Sequence, residues 1–228
     1  MDKAELITPK VCIAIGSGGF MENDIAEITQ YVSAERLKRA ERYMQRRDRN
    51  NCIVSYFLLR YELLRYCGIN EVPPMEQDKY GKPYFKDIPL FFNISHSDEG
   101  VCCGIAAENI GVDIQSIERR YENILKNTMS ANEIELIAGS DAPHEEFTRL
   151  WTLKESIVKY RGTGVGDHIE QIDFSACSGG KFIHDGLIFR SERYGEYYVS
   201  ACTSEHEPEF IKKELSRYIS EYQQLIRA

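Results

Sequence analysis

Trp151-Thr-Leu-Lys154-Glu155-Ser-Ile-Val-Lys159-Tyr-Arg-Gly162-Thr-Gly164 is the stretch around which the rest of the chain is organised. Its spacing predicts a helix. Leu150, Leu153, Ile157 and Tyr160 recur three and four residues apart and make one apolar stripe. Trp151, Glu155 and Lys159 are four apart and share another face, and at ~100° per residue Glu155 lies opposite the centre of the stripe. Gly162 and Gly164 end the helix, because glycine readily takes the left-handed conformation a helix terminus needs. Taken alone, Glu155 and Lys159 describe an exposed ion pair worth a few tenths of a kcal/mol. The rest of the sequence gives them more to do.

The 228 residues suffice for one large domain or two small ones. A net charge of -8 argues against a general nucleic-acid binder, which needs a surplus of Lys and Arg to neutralise phosphates. The cysteines at 12, 52, 67, 102, 103, 177 and 202 include no Cys-x-x-Cys pair, and their odd number fits reduced thiols in a cytoplasmic protein. Cys102 and Cys103, in a strand, point to opposite faces. The start, Met-Asp-Lys-Ala-Glu, has no signal-peptide character, and no apolar run approaches the ~18 residues of a membrane span.

In chain order, Lys10 to Ile15 reads as a buried strand closed by Gly16-Ser-Gly-Gly19. Such glycines can cradle phosphate, though a plain loop is the commoner meaning. Ser33 to Gly68 is mostly helical, with Ser33 as a cap and Gly68 as a stop. Within it, Arg36, Lys38, Arg39, Arg42, Arg46, Arg47 and Arg49 face only Glu41 and Asp48, which marks either a solvated face or a local polyanion site. Gly81-Lys82-Pro83-Tyr84-Phe85 is a turn leading into an extended piece. Phe91 to Ser97 is a strand ending in polar residues, turned by Asp98-Glu99-Gly100 into a returning strand to Ala107. His96 there is either an anion ligand or a structural surface histidine. Asn109 to Ile117 alternates, with Ile110, Val112 and Ile114 on one face and Gly111, Asp113 and Gln115 on the other. Asp113 and Gln115 thereby present two oxygen ligands of the type hard divalent ions take.

Tyr121 to Gly139 is expected to be helical, followed by a short acidic loop with Asp141, Glu145 and Glu146. Asp167 to Phe174 is expected to return to extended structure. A β-meander follows, with Gly186 and Gly195 at its turns, then a closing helix from Pro208 to Ala228. Each half runs strand, helix-rich stretch, hairpin strands. That suggests an α+β chain of two similar halves, 1–108 and 109–228, with a cleft between them.

Four stretches together resemble the 4′-phosphopantetheinyl transferases of the larger, single-chain, pseudo-two-fold class: Gly81-Lys-Pro-Tyr-Phe85, Phe92-Asn-Ile-Ser-His-Ser97, Gly111-Val-Asp-Ile-Gln115 and Trp151-x-x-Lys-Glu-Ser-x-x-Lys159-x-x-Gly162-x-Gly164. The resemblance covers residues 33 to 203, and the length sets the chain apart from the half-length, trimeric acyl-carrier-protein synthases. It implies two α/β halves related by a pseudo-two-fold, each with an antiparallel sheet and a long helix. It also implies transfer of the phosphopantetheine arm of coenzyme A to a serine of an apo acyl or peptidyl carrier protein, releasing 3′,5′-ADP, by a cytoplasmic monomer acting on neither nucleic acid nor membrane. By resemblance, Asp113, Gln115 and Glu155 hold Mg2+, with Gln115 standing where many relatives carry a glutamate. Glu155 and Lys159 are the catalytic pair, and Glu133 assists through water. Arg36, Arg39, Lys82, Ser95, His96 and Lys159 grip the phosphates of coenzyme A. Asn51 stands where the family usually has an arginine; either Arg47 or Arg49 is its stand-in, or the adenine end is held differently. Two other readings use the same residues: a coenzyme-A-binding module without turnover, and a Mg2+-dependent nucleotide pyrophosphatase.

Overall fold

Two four-stranded sheets, each backed by one long helix, carry the chain. The computed structural model describes residues 8–118, 120–164 and 168–227. The first part runs β1 (Lys10–Ile15), α1 (Glu22–Thr29), α2 (Ala34–Ala40), α3 (Arg46–Cys67), β2 (Met75–Gln77), β3 (Pro83–Phe85), β4 (Phe91–Ser97) and β5 (Gly100–Ala106). The second runs β6 (Gly111–Ser116), α4 (Glu122–Thr128), α5 (Ala131–Ala138), α6 (Pro143–Arg161), β7 (Lys181–His184), β8 (Leu187–Tyr194), β9 (Tyr197–Thr203), β10 (Glu209–Lys212) and α7 (Leu215–Leu225). One sheet has the order β10-β1-β5-β4, the other β6-β9-β8-β7, and β2 pairs with β3 in a separate hairpin. The architecture is α+β. Among the described residues no helix is long and apolar enough to cross a membrane.

The core lies in three layers. Between α3, α7 and the first sheet sit Phe57, Leu58, Tyr61, Cys103, Ile105 and Tyr218, with other apolar neighbours. Between α6 and the second sheet sit Leu150, Leu153, Ile157, Phe189 and Cys202. The two sheets meet over Val11, Ile13, Cys102, Ala106, Val112, Ile114, Val199 and Ala201. Cys102 and Cys103 therefore do face opposite ways, and all seven cysteines are free thiols.

Close approach needs small residues. Strand β5 turns Gly100, Cys102, Gly104 and Ala106 toward the second sheet, and a Cβ on Gly104 would come within 2.8 Å of Val112 Cγ1. At Gly111 the constraint is harder, because a Cβ there would stand 2.0 Å from the Ser156 carbonyl oxygen and 2.4 Å from the Tyr160 nitrogen. That glycine lets β6 lie against α6 with no side chain between them. Across the other edge of β6, the Val112 N–H donates to Asn93 Oδ1 of β4 at 2.9 Å.

The structure departs from the sequence expectations at several points. The predicted helix from Tyr121 to Gly139 is two helices, because Ser130 caps α5 in a reciprocal box with Glu133 and so breaks the run. Glu145 and Glu146 are not in a loop. They occupy the first turn of α6, which starts on Pro143, where acidic side chains complement the helix dipole and proline loses no bond. The closing segment opens with β10 before α7, and β10 pairs parallel to β1, so the first sheet is mixed rather than antiparallel. These last two elements return to the first sheet from the end of the chain. Asp167, where extended structure was expected to resume, and the opening residues 1–5 lie outside the described residues.

Gly111→Ala is expected to destabilise the fold by at least ~3 kcal/mol, since backbone must move to admit the methyl group. Gly139→Ala is the control: its added Cβ meets nothing nearer than 3.4 Å. Chemical denaturation should show that variant within ~1 kcal/mol of the parent.

Candidate active site

Asp113 is fully buried on β6, on the face turned away from the sheet–sheet core. Such a carboxylate is tolerated only when paired and hydrogen-bonded. Its Oδ1 accepts from Lys159 Nζ at 2.6 Å and from Ser95 Oγ at 2.7 Å, while Oδ2 accepts from Gln115 Nε2 at 3.1 Å. Lys159 Nζ also donates to Ser95 Oγ at 2.7 Å. Three elements thus converge: β6 from the second sheet, α6 packed on it, and β4 from the first.

Glu155 lies one helical turn before Lys159 and is 7% exposed. Burial, and then the neighbouring Asp113 charge, push its carboxyl up to about 7, against the pull of Lys159. Lys159 is held above the ordinary lysine value. Burial opposes its charge, but Asp113 and the hydrogen bond to it outweigh that cost, with Glu155 adding to them. Two carboxylates therefore share one ammonium in a largely dry site.

The anion-binding candidates divide. Ser95 belongs to the cluster. His96, next along β4, turns to the other face, where burial, then the charges of Lys159 and Arg36, hold its imidazole low against Asp48 and Asp113. Arg36 reaches the Cys52 carbonyl of α3 at 3.2 Å and lies over the Tyr56 ring. Arg39 is exposed on α2. Lys82 is held at the end of α6, donating to the Tyr160 carbonyl at 3.0 Å and to Asn109 Oδ1 at 2.8 Å, and burial lowers its pKa to about 8.

Of the two stand-ins considered for Asn51, Arg49 is tied to the carbonyls of Tyr43 and Met44. Arg47 lies on the same side as Asn51, and both line a pocket of about 240 Å3 with Gly18, Gly19, Arg46 and Glu99. The glycine run after β1 is therefore one wall of a pocket.

Glu133, given a role through water by the resemblance, takes part in a buried ion pair. It is fully buried, its Oε2 pairs with Lys154 Nζ at 2.7 Å, and its Oε1 accepts from the Phe174 N–H at 2.9 Å. Lys154 also donates to the Ile169 carbonyl at 3.0 Å and to that of Ile172. Its ammonium thus holds the segment after α6. Sequence alone gave no sign of the pairing, because it joins residues on two helices whose packing angle is a tertiary fact. Among the described residues no group of three or more His, Cys, Asp or Glu side chains is placed to hold a metal ion.

Two outcomes follow for stability. Lys154→Ala leaves a buried carboxylate unpaired and should cost ~3–5 kcal/mol in a denaturant titration. Lys154→Met with Glu133→Gln should recover part of that loss. For Glu155, the folded carboxyl binds its proton more tightly than the unfolded one, so it costs stability as pH climbs from about 4.5 to about 7. Glu155→Gln should accordingly raise metal-free stability by ~2–3 kcal/mol at pH 8 and leave it unchanged at pH 4. Melting curves at both pH values check this.

Residues 109–216 match the family profile described as the 4′-phosphopantetheinyl transferase superfamily, a span that includes Asp113, Gln115, Glu155 and Lys159. The chain is 33% identical over 141 residues to 4′-phosphopantetheinyl transferase gsp of Aneurinibacillus migulanus, covering 60% of this chain and 59% of that protein. It is 26% identical over 189 residues to a 4′-phosphopantetheinyl transferase of Bacillus subtilis, 78% of this chain and 84% of that protein. Over 139 residues it is 29% identical to 4′-phosphopantetheinyl transferase Sfp of Bacillus subtilis strain 168, 59% of this chain and 62% of that protein. The match thus spans less than two thirds of the first and third relatives. The similarity runs through the whole second sheet and its helix, and along most of one bacterial 4′-phosphopantetheinyl transferase.

Proposed function

We propose that the protein transfers the 4′-phosphopantetheine group of coenzyme A to a serine of an apo acyl or peptidyl carrier protein, with release of 3′,5′-ADP. The observation that carries this is the meeting of Asp113, Ser95 and Lys159 at 2.6–2.7 Å with Glu155 one turn away. The cluster sits where two sheets and one helix converge.

Mg2+ fits the donor set. Two carboxylates balanced by one ammonium leave a negative charge in a dry site, and the donors are hard oxygens, with the Gln115 amide able to turn its oxygen inward. Asp113, Glu155 and Gln115 would hold the ion. When bound it supplies charge neutralisation on the diphosphate. The chain's own groups do the rest. Lys159, kept charged by Asp113, is available to a diphosphate oxygen. Glu155, with a carboxyl poised near neutrality, takes the proton of the carrier serine as its oxygen bonds to phosphorus and the bond to 3′,5′-ADP breaks. Arg36, Arg39, Lys82 and His96 are the groups proposed to hold the remaining phosphate of coenzyme A.

The same reading takes the chain as two halves, 1–108 and 109–228, related by a pseudo-two-fold. The matching strand orders β1-β5-β4 and β6-β9-β8, each backed by a long helix, support this. Seven free thiols support a cytoplasmic location, and the reading takes the protein as a monomer.

The test is mass spectrometry of a panel of apo carrier proteins incubated with coenzyme A and Mg2+. The parent should convert at least one of them, Asp113→Ala and Glu155→Ala should lose more than ~100-fold, and removing the metal with a chelator should stop conversion. Full activity in either variant rejects the site. Release of 3′,5′-ADP with every carrier left unmodified would make the protein a pyrophosphatase instead.

A further inference from the structure

The turn between β4 and β5 is gripped from four sides. The Gly16 N–H donates to the Glu99 carbonyl at 2.9 Å, and the Glu99 N–H donates to Tyr197 Oη at 3.2 Å. Asp98 makes the other two grips. Its Oδ1 accepts from Arg47 Nη1 of α3 at 2.6 Å, its Oδ2 from Ser116 Oγ of β6 at 2.6 Å, and its carbonyl from Asn51 Nδ2 of α3 at 2.7 Å. To do this it takes a left-handed backbone conformation, φ 46°, uncommon for any residue with a side chain. Glycine would suit that backbone better but could make none of the side-chain bonds. Ser116 is held a second time, its N–H donating to Ser97 Oγ at 3.2 Å.

These contacts form a continuous mechanical path. Arg36 is anchored to the Cys52 carbonyl; Asn51, beside Cys52, is anchored to Asp98; Asp98 is anchored to Ser116; and Ser116 follows Gln115, which donates to Asp113. One end is the basic segment of the first sheet's helices, the other the carboxylate strand of the second sheet. Coenzyme A would have to touch both, with its phosphates at one end and its diphosphate at the other.

We propose that Asp98 is a positioning residue: a clasp, bridging α3 and β6, that fixes the separation between the phosphate-binding segment and the Asp113–Glu155 pair. The proposal rests on the transferase reading of those two ends. Asp98 touches no reacting atom. It sets the width of the cleft, so that one ligand can engage both walls without reordering either.

The experiment compares Asp98→Gly, Asp98→Asn and Ser116→Ala in the full chain. Asp98→Gly keeps the turn and deletes both carboxylate bonds. Asp98→Asn keeps the shape and a bond to Ser116 but loses the negative charge that pairs with Arg47. Coenzyme A and Mg2+ affinities are measured by calorimetry, alongside kcat and KM in carrier conversion and the melting temperature. A clasp predicts about a tenfold weaker coenzyme A affinity and a matching rise in KM for Asp98→Gly, with kcat changed less than about threefold and melting within about 3 °C of the parent. Asp98→Asn should fall between parent and glycine variant. Adding Ser116→Ala to Asp98→Gly should bring no further loss, because both remove the same bond. Coenzyme A affinity and KM at parent values in Asp98→Gly overturn the clasp, as does a loss confined to melting temperature. A parent that binds coenzyme A but modifies no carrier overturns the transferase reading while the calorimetric ratios still decide the clasp. A parent with no affinity for coenzyme A overturns both.

Discussion

A carboxylate sealed between protein layers must have a cation within reach, and for Asp113 that cation is Lys159. Their 2.6 Å contact joins a strand of the second sheet to the helix packed on it, and Ser95 brings in the first sheet through the same oxygen. Desolvating an isolated carboxylate costs several kcal/mol, so the three elements are held in one register. A slip of one residue along β6 would place Val112 or Ile114 against the ammonium and send Asp113 into the apolar layer between the sheets. Gly111 makes the contact geometrically feasible by letting α6 lie almost on the strand backbone.

Periodicity reached much of this from the sequence. The alternation from Ile110 to Gln115 places the carboxylate and the amide on one face of β6, and the four-residue spacing of Glu155 and Lys159 places both on one face of α6. Gly162, left-handed at φ 72°, stops that helix where the sequence puts the stop. Cys102 and Cys103 part to opposite faces as a strand requires. Such features depend on local geometry with fixed repeats, which a sequence carries openly. That the two carboxylates meet rested on the family resemblance, because no local rule joins residue 113 to residue 155.

What remained hidden belongs to long-range pairing or to single turns. Strand β10 is four residues long and is defined only by its partner β1, almost 200 positions away, so it reads as the start of a helix. Asp98 looks like any turn aspartate. Its role comes from Arg47 and Ser116, each brought to it by tertiary packing. Glu133 matched a family acidic position, and its pairing with buried Lys154 appears only when the two helices pack. The glycines after β1 resembled a loop, and their role as a pocket wall appears only with the first turn of α3 across from them.

The neighbours Lys154 and Glu155 divide stability from function. Lys154 is fully buried, and its charge is closed off by the Glu133 carboxylate and two carbonyls, a complete set of acceptors that ties α5, α6 and the following segment together. Glu155 is nearly as buried, yet among the described residues it has no hydrogen-bond donor of its own, and burial with the charge of Asp113 raises its carboxyl to about 7. A fold optimised for stability alone would not leave that group so exposed to a like charge, since a neutral side chain there would remove the repulsion. Unresolved charge next to a fully resolved pair, on one turn of one helix, marks Glu155 as a candidate position for a ligand whose own charge would complete it. A dication accompanied by a diphosphate, as the proposed transfer requires, has the charge and the hard-oxygen preference to do so.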